Sequence, residues 1–380
     1  MSDTKPLLYL IAGARPNFMK LAPIARALDE AAGLLDYRII HTGQHYDQNM
    51  SQVFFDELGI RTPDHYLQAD SGSHARQTAS IMCRFEEVCT SRRPDHVMVI
   101  GDVNSTLACG ITAKKLGISL SHVEAGLRSR DMNMPEEINR IVTDSISDMF
   151  FVTEESGYRN LALEGKKPAC IHFVGNVMID NLFHQLDKLN EQELPRWVSD
   201  FKADASRYAV LTLHRPSNVD DEATLSGIVA AINAIAEDMP VVFPIHPRTA
   251  RQLAQFGMRL SPGVISKPPL SYMHFLSLWK DARVVLTDSG GLQEETTCLG
   301  IPCLTLRDNT ERPITLTEGT NTLVGSETRK ILSAYASALR QGVGKQRIPK
   351  FWDGKASERI VRILTDALVS DSALSMAMAG

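Results

Sequence analysis

Short apolar runs alternate along the chain with longer stretches in which apolar residues recur at helical spacing. "PLLYLIAG" reads as a buried strand, and "PNFMKLAPIARALDEAAG" after it as an amphipathic helix, with Pro16 tolerated in its first turn. Strand-like "YRIIHTG" precedes helices predicted near Asp47 to Leu58 and near His74 to Thr90. Strand "HVMVIGD" leads into a helix from Ser105 to Leu116, and strand "GISLSHV" into the helix "PEEINRIVTDSIS". Successive βα units imply a parallel sheet flanked by helices.

The alternation then restarts. "YAVLTLHR", "PVVFPIHP", "GVISKPP", "ARVVLTDSGG" and "IPCLTLRD" are strand-like runs separated by helical patterns. A polar, helix-prone stretch from Asn176 to Ser206 lies between the two series and reads as a hinge. The expected fold class is α/β, with two doubly wound parallel-sheet domains facing one another and a site in the cleft at their carboxyl strand ends. The expected boundaries are 1–176 and 177–355, followed by a C-terminal helix within 356–380.

Composition narrows the class of protein. A chain of 380 residues with 43% hydrophobic and 22% charged residues is an ordinary globular protein able to bury large cores. A net charge of -5 argues against a general nucleic-acid binder. No apolar run approaches membrane-spanning length, and "MSDTKPLLYLIAG" lacks the order of a signal peptide, so a cytoplasmic location is expected. The six cysteines form no Cys-x-x-Cys pair and several sit in apolar surroundings, which favours structural thiols over disulfides or zinc. The histidines are dispersed, so no metal is expected.

Charged residues collect where predicted strands end. Arg15 and Lys20 follow the first strand and Asp102 follows "VMVIG"; Glu124 and Arg128 follow "SLSHV". Glu136, Glu137 and Arg140 open the next helix, and His214 with Arg215 follows "AVLTL". A single Asp in such a place is most often a helix cap, and glutamates in a first turn usually complement the helix dipole. Their joint occurrence at carboxyl strand ends in both halves points instead to a site.

"DSGGLQEE" has the clearest physical role. Gly290 and Gly291 permit close backbone approach, and the following helix N-terminus suits a pyrophosphate. Glu294 or Glu295 is then placed to reach a ribose hydroxyl, with Arg15 and Arg312 as further positive charge for a phosphate-bearing leaving group. Neither Gly-x-Gly-x-x-Gly after the first strand nor Gly-x-x-x-x-Gly-Lys occurs, which argues against a nicotinamide-dependent reaction.

The ordered segments "GARPNFMKLAPI", "HTGQHYDQNMS", "GDVNSTLA", "HVEAGLRS", "MPEEINR", "LHRPSNV", "LTDSGGLQEE" and "RDNTERPITLTEGTN" resemble the non-hydrolysing UDP-N-acetylglucosamine 2-epimerase family. The resemblance implies two Rossmann-like domains of the glycosyltransferase-B type, usually as a homodimer, with the last helix crossing back to the N-terminal domain. It implies interconversion of UDP-GlcNAc and UDP-ManNAc through 2-acetamidoglucal, without a cofactor or catalytic metal. Matched motif by motif, Asp102, Glu124 and Glu136 resemble the catalytic carboxylates. Glu136 is chosen over Glu137 because it is the first acidic residue after the proline. His214 resembles a group acting on the pyrophosphate. Arg15, Ser289, Gly290, Gly291, Glu295 and Arg312 resemble UDP ligands, Phe275 a residue near the uracil, and Lys20 and Arg140 positions lining the site.

Many members bind a second UDP-GlcNAc as activator beside a Gln-His pair, here Gln44 and His45. Asp47 nearby would repel a diphosphate, so activation in that form is not expected. Two alternatives share part of this pattern. An epimerase of UDP-2,3-diacetamido-2,3-dideoxyglucuronic acid would need a cation near the sugar carboxylate, for which Arg128 and Arg130 are candidates. A glycosyltransferase of the same fold would depend on an acceptor.

Overall fold

The structure is a computed structural model that describes residues 5–31, 33–43, 52–70, 72–189, 191, 193–341 and 348–379. The chain divides into two compact units, one formed by residues 1–181 with 350–380 and the other by 182–349.

In the first unit seven strands form one sheet: β1 (Leu7–Ala12), β2 (Asp36–His41), β3 (His65–Tyr66), β4 (His96–Ile100), β5 (Ser119–Val123), β6 (Met149–Val152) and β7 (Ile171–Phe173). Their spatial order is β3-β2-β1-β4-β5-β6-β7, with every pair parallel. The whole of β1 and β4 is buried, as the apolar runs "LLYLIA" and "HVMVI" require of strands covered on both faces. Strand order reverses between β1 and β4, so the ends of these strands open at a topological switch point. Arg15 follows one of them and Asp102 the other.

The second unit repeats the scheme with β8 (Ala209–Thr212), β9 (Val241–Pro244), β10 (Val264–Lys267), β11 (Val284–Thr287), β12 (Cys303–Thr305) and β13 (Asn321–Leu323). The order is β10-β9-β8-β11-β12-β13, again parallel throughout. The switch point here lies between β8 and β11, followed by His214 and Ser289 respectively. Strands β3, β6, β7 and β13 are absent from the sequence reading. At two to four residues they are too short to display a period.

The expected hinge is helical over Val177–Leu189 and Arg196–Asp204. Val177, Met178, Ile179 and Leu182 are buried, so the stretch contributes to packing. The chain re-enters the first unit near residue 350. Trp352, fully buried, donates from Nε1 to the Thr153 carbonyl at 3.2 Å. Asp180 accepts from Ala356 N at 3.1 Å, Ser357 N at 2.7 Å and Ser357 Oγ at 2.6 Å, capping the helix Ala356–Ala379. That helix buries Ile360, Val361, Leu364 and Leu368 and packs on the helix Arg15–Glu30.

Candidate active site

The first unit's cluster is built where β4 and β5 end. After β4, Gly101 turns with φ +71°, a conformation a side chain would strain, and the turn delivers Asp102. After β5, Glu124 itself has φ +69°; Glu124 N and Ala125 N both donate to the Phe151 carbonyl, at 3.1 and 3.2 Å. Gly126 follows with φ +78° and lies so close to Gly157 that an added Cβ would stand 2.3 Å from its carbonyl oxygen. A buried glutamate at positive φ is uncommon and is held there by its surroundings.

Each of these carboxylates meets a cation. Lys20 Nζ donates to Glu124 Oε2, and Arg140 Nη1 to Asp102 Oδ2. The helices that carry these cations, Arg15–Glu30 and Pro135–Ile146, begin at the carboxyl side of the sheet. Arg140, buried, also binds Glu137 Oε2 through Nε at 3.0 Å and Nη2 at 2.6 Å. Glu137 in turn accepts from Ser129 N and Arg130 N, each at 2.9 Å, so it ties the connection after β5 to the helix that follows. Burial alone would raise its carboxyl, but Ser129, Arg140 and Arg130 hold it below the ordinary glutamate value. Glu136 is half-buried, and no hydrogen bond or ion pair to it occurs among the described residues. Arg15 is exposed at the start of its helix.

The two open arginines separate. Arg128 is held by Asp144 Oδ2 at 2.7 Å and by Glu164 through Nε at 2.9 Å and Nη2 at 2.6 Å, its side chain nearly buried. Its charge is committed to the protein. Arg130 is exposed, with φ +60°, and donates to Asn160 Oδ1 at 3.1 Å.

The second unit's cluster lies where β8 and β11 end. Asp288 is completely buried and accepts at Oδ2 from His214 N at 2.9 Å and Arg215 N at 2.8 Å. Its Oδ1 stands 2.8 Å from His214 Nδ1. Burial raises this carboxyl, yet His214 and the two backbone donors bring it below the usual aspartate value. An imidazole held at Nδ1 by a carboxylate has its tautomer fixed and its Nε2 left for other partners.

Ser289 is the N-cap of the helix Gly290–Leu299 and makes no side-chain hydrogen bond to it, so the Ser289 side chain does not satisfy the first-turn N–H groups of that helix. At Gly290 an added Cβ would stand 2.8 Å from Glu311 Oε1. Arg312 Nε pairs with Glu294 Oε1 at 2.7 Å, and Glu295 accepts from Tyr272 Oη at 2.6 Å. Burial, with Glu294 adding to it, pushes the Glu295 carboxyl up to about 7, although the Tyr272 hydrogen bond works in the opposite direction. Phe275 is half-buried on the helix Tyr272–Trp279.

Thus Lys20, Asp102, Glu124 and Arg140 gather in the first unit, and His214, Ser289, Gly290, Gly291, Glu295 and Arg312 at the strand ends of the second. Gln44 and His45 lie outside the described residues. From sequence Glu137 is named only as the residue set aside in favour of Glu136, and His122, Asp144, Asp288 and Tyr272 receive no role. The spacing of Glu137 and Arg140, three residues apart on one helix, was a usable signal for the first. Among the described residues no group of three His, Cys, Asp or Glu side chains is arranged for a metal, all six cysteines are free thiols, and no helix is long and apolar enough to cross a membrane.

Two doubly wound parallel-sheet units, each with charged residues at its switch point, place the protein in the glycosyltransferase-B class of α/β folds. A solved glycosyltransferase of kitacinnamycin shares that fold with a TM-score of 0.59 over 96% of this chain and 100% of its own, at 10% identity. The family described as UDP-N-acetylglucosamine 2-epimerase matches residues 26–365. The chain is 43% identical over 366 residues to the UDP-N-acetylglucosamine 2-epimerase of Methanocaldococcus jannaschii, covering 94% of this chain and 98% of that one. The crystal structure of that relative with UDP-GlcNAc and UDP superposes with a TM-score of 0.85 over 94% of this chain and 99% of its own. A UDP-2,3-diacetamido-2,3-dideoxy-D-glucuronate 2-epimerase of Pseudomonas aeruginosa is 40% identical over 361 residues, 94% of this chain and 99% of that one. The chain belongs to the UDP-N-acetylglucosamine 2-epimerase family, and it is an epimerase.

Proposed function

We propose that the enzyme interconverts UDP-GlcNAc and UDP-ManNAc by eliminating UDP and adding it back. The hydrogen at C2 is not alpha to a carbonyl, so simple enolisation is unavailable. Instead a base takes the C2 proton while the C1–O bond breaks, the departing UDP keeping the bonding electron pair. The product is 2-acetamidoglucal. Re-addition of UDP at C1 with proton delivery to the opposite face of C2 gives the epimer, and all atoms are conserved. Positive character at C1 is stabilised by nearby carboxylates, as in glycoside hydrolysis.

Asp102, Glu124 and Glu136 carry the proton and cation chemistry, with Arg140 orienting Asp102 and Lys20 orienting Glu124. The turn at Ser289, Gly290 and Gly291 with Arg15 and Arg312 holds the diphosphate, His214 acts at its leaving oxygen, Glu295 takes the ribose and Phe275 the uracil. The observation that carries this reading is the contrast between adjacent glutamates. Glu137 is consumed by backbone and Arg140 donors, which supports Glu136 as the one available for chemistry.

The relatives' names divide between two sugars, so UDP-2,3-diacetamido-2,3-dideoxyglucuronic acid is the second candidate substrate. The commitment of Arg128 to Asp144 and Glu164 removes one cation that would favour it. Incubation with UDP-GlcNAc in D2O without nicotinamide, followed by proton NMR, tests the proposal. Deuterium at C2 together with UDP-ManNAc is expected. Turnover of the diacetamido sugar alone would move the assignment, and full retention of the C2 hydrogen during epimerisation would overturn the mechanism. We also propose a homodimer, to be checked by sedimentation.

A further inference from the structure

His122 and Asp144 are both completely buried and lie outside the roles assigned above. His122, near the end of β5, has Nδ1 at 2.7 Å from Asp144 Oδ1 and Nε2 at 2.8 Å from the Gly101 carbonyl oxygen. The ring thus spans two acceptors, a carboxylate and a backbone carbonyl, one at each nitrogen. Asp144 Oδ2 accepts from Gly126 N at 3.0 Å and pairs with Arg128 Nη1 at 2.7 Å. The carboxylate therefore sits between the His122 ring and the Arg128 guanidinium. Burial would raise it, but His122 and Arg128 hold it below the ordinary aspartate value.

The two backbone groups that this pair grips are informative. Gly101 immediately precedes Asp102, and Gly126 is two residues beyond Glu124. Gly101 and Gly126 have φ +71° and +78°, and Glu124 has φ +69°. The turns abut, because a Cβ added at Gly101 would lie 3.4 Å from Glu124 Oε2. One ring and one carboxylate thus connect the turn bearing Asp102 to the turn bearing Glu124. We infer that the His122–Asp144 pair is a positioning device that sets the separation of Asp102 and Glu124 in the reacting complex. The inference rests on the proposed roles of those two carboxylates.

A displacement of about an ångström at reacting groups costs on the order of 100-fold in rate, and loss of a group that orients a reacting one typically costs 10- to 100-fold. His122→Gln, which cannot donate to both partners from one rigid plane, is expected to lower kcat roughly 10- to 100-fold. KM for UDP-GlcNAc should stay within about twofold, since no UDP ligand is touched. Asp144→Asn keeps the side-chain size and an acceptor for His122 but turns an amide NH2 towards Gly126 N and Arg128 Nη1, both donors, so it should also lower kcat, with the same split. Rates are measured on protein whose folded fraction is known from its unfolding curve, so that loss of fold is separated from misplacement. Equal losses in kcat and folded fraction, or an unchanged kcat in Asp144→Asn, would overturn the inference. Asp102→Asn and Glu124→Gln run beside them. If those two retain activity, the underlying catalytic reading fails; if they abolish it while His122→Gln and Asp144→Asn turn over normally, only the positioning role fails.

Discussion

Glu295→Gln isolates the electrostatics of the second unit's cluster. The wild-type carboxyl is fully enclosed, bound by Tyr272 and close to Glu294, and is raised from 4.5 to about 7. In the unfolded chain it ionises near its ordinary value, so between about pH 4.5 and 7 the unfolded state releases a proton that the native state keeps. The stability it contributes is present below the lower value and is lost as pH rises through the higher one. At 1.36 kcal/mol per pH unit the loss is roughly 3 kcal/mol, an upper figure because the surroundings relax around the charge. Glutamine stays neutral and still accepts from Tyr272.

The assay is urea unfolding of wild type and Glu295→Gln at several values from about pH 4.5 to 8, following the transition of the second unit, since two units need not unfold together. The variant should gain relative stability across that window, reaching roughly 2–3 kcal/mol above about pH 7 and then remaining flat. A difference that does not change with pH would refute the reasoning, as would one that grows only above about pH 8. If Glu295 also binds the ribose, the same variant should weaken UDP binding by roughly 1–3 kcal/mol in calorimetry.

The other predictions address single devices. Glu136→Gln should abolish epimerisation with UDP affinity and unfolding midpoint nearly unchanged, whereas Glu137→Gln should lower stability by roughly 3 kcal/mol because Arg140 loses a buried partner; the reverse pattern in paired kinetic and unfolding measurements would exchange the two roles. Asp180→Ala should cost roughly 1–2 kcal/mol and expose the helix Ala356–Ala379 to protease, because its cap is lost. Gly126→Ala must place a Cβ against the Gly157 carbonyl and strain a positive φ, so a loss of roughly 2–4 kcal/mol is expected by thermal unfolding. An unchanged melting temperature there would show that the turn can shift.

Much of this protein is decided by local sequence. The long apolar runs and helical repeats define both sheets, because strands buried on two faces must be apolar throughout and their crossover helices need one apolar stripe. Gly-Gly after "VVLTDS" has one economical meaning, a tight approach to a helix N-terminus. The motifs alone place Asp102, Glu124, His214 and Ser289 at carboxyl strand ends, because each directly follows a strand-like run.

What only the tertiary structure decides are partners and strand order. The sheets' reversal at β1/β4 and β8/β11 depends on which crossovers pack where, and short strands such as β6 and β7 are defined only by the neighbours they pair with. "HVEAGLRSRDMNMPEEINR" shows the limit most clearly. Sequence reveals its excess of charge, but the division of labour within it comes from residues distant in the chain. Glu124 meets Lys20, Arg128 meets Asp144 and Glu164, and Arg140 is shared between Asp102 and Glu137. A buried charge is stable only beside a partner that the fold delivers, and that delivery is a property of the assembled unit rather than of any segment.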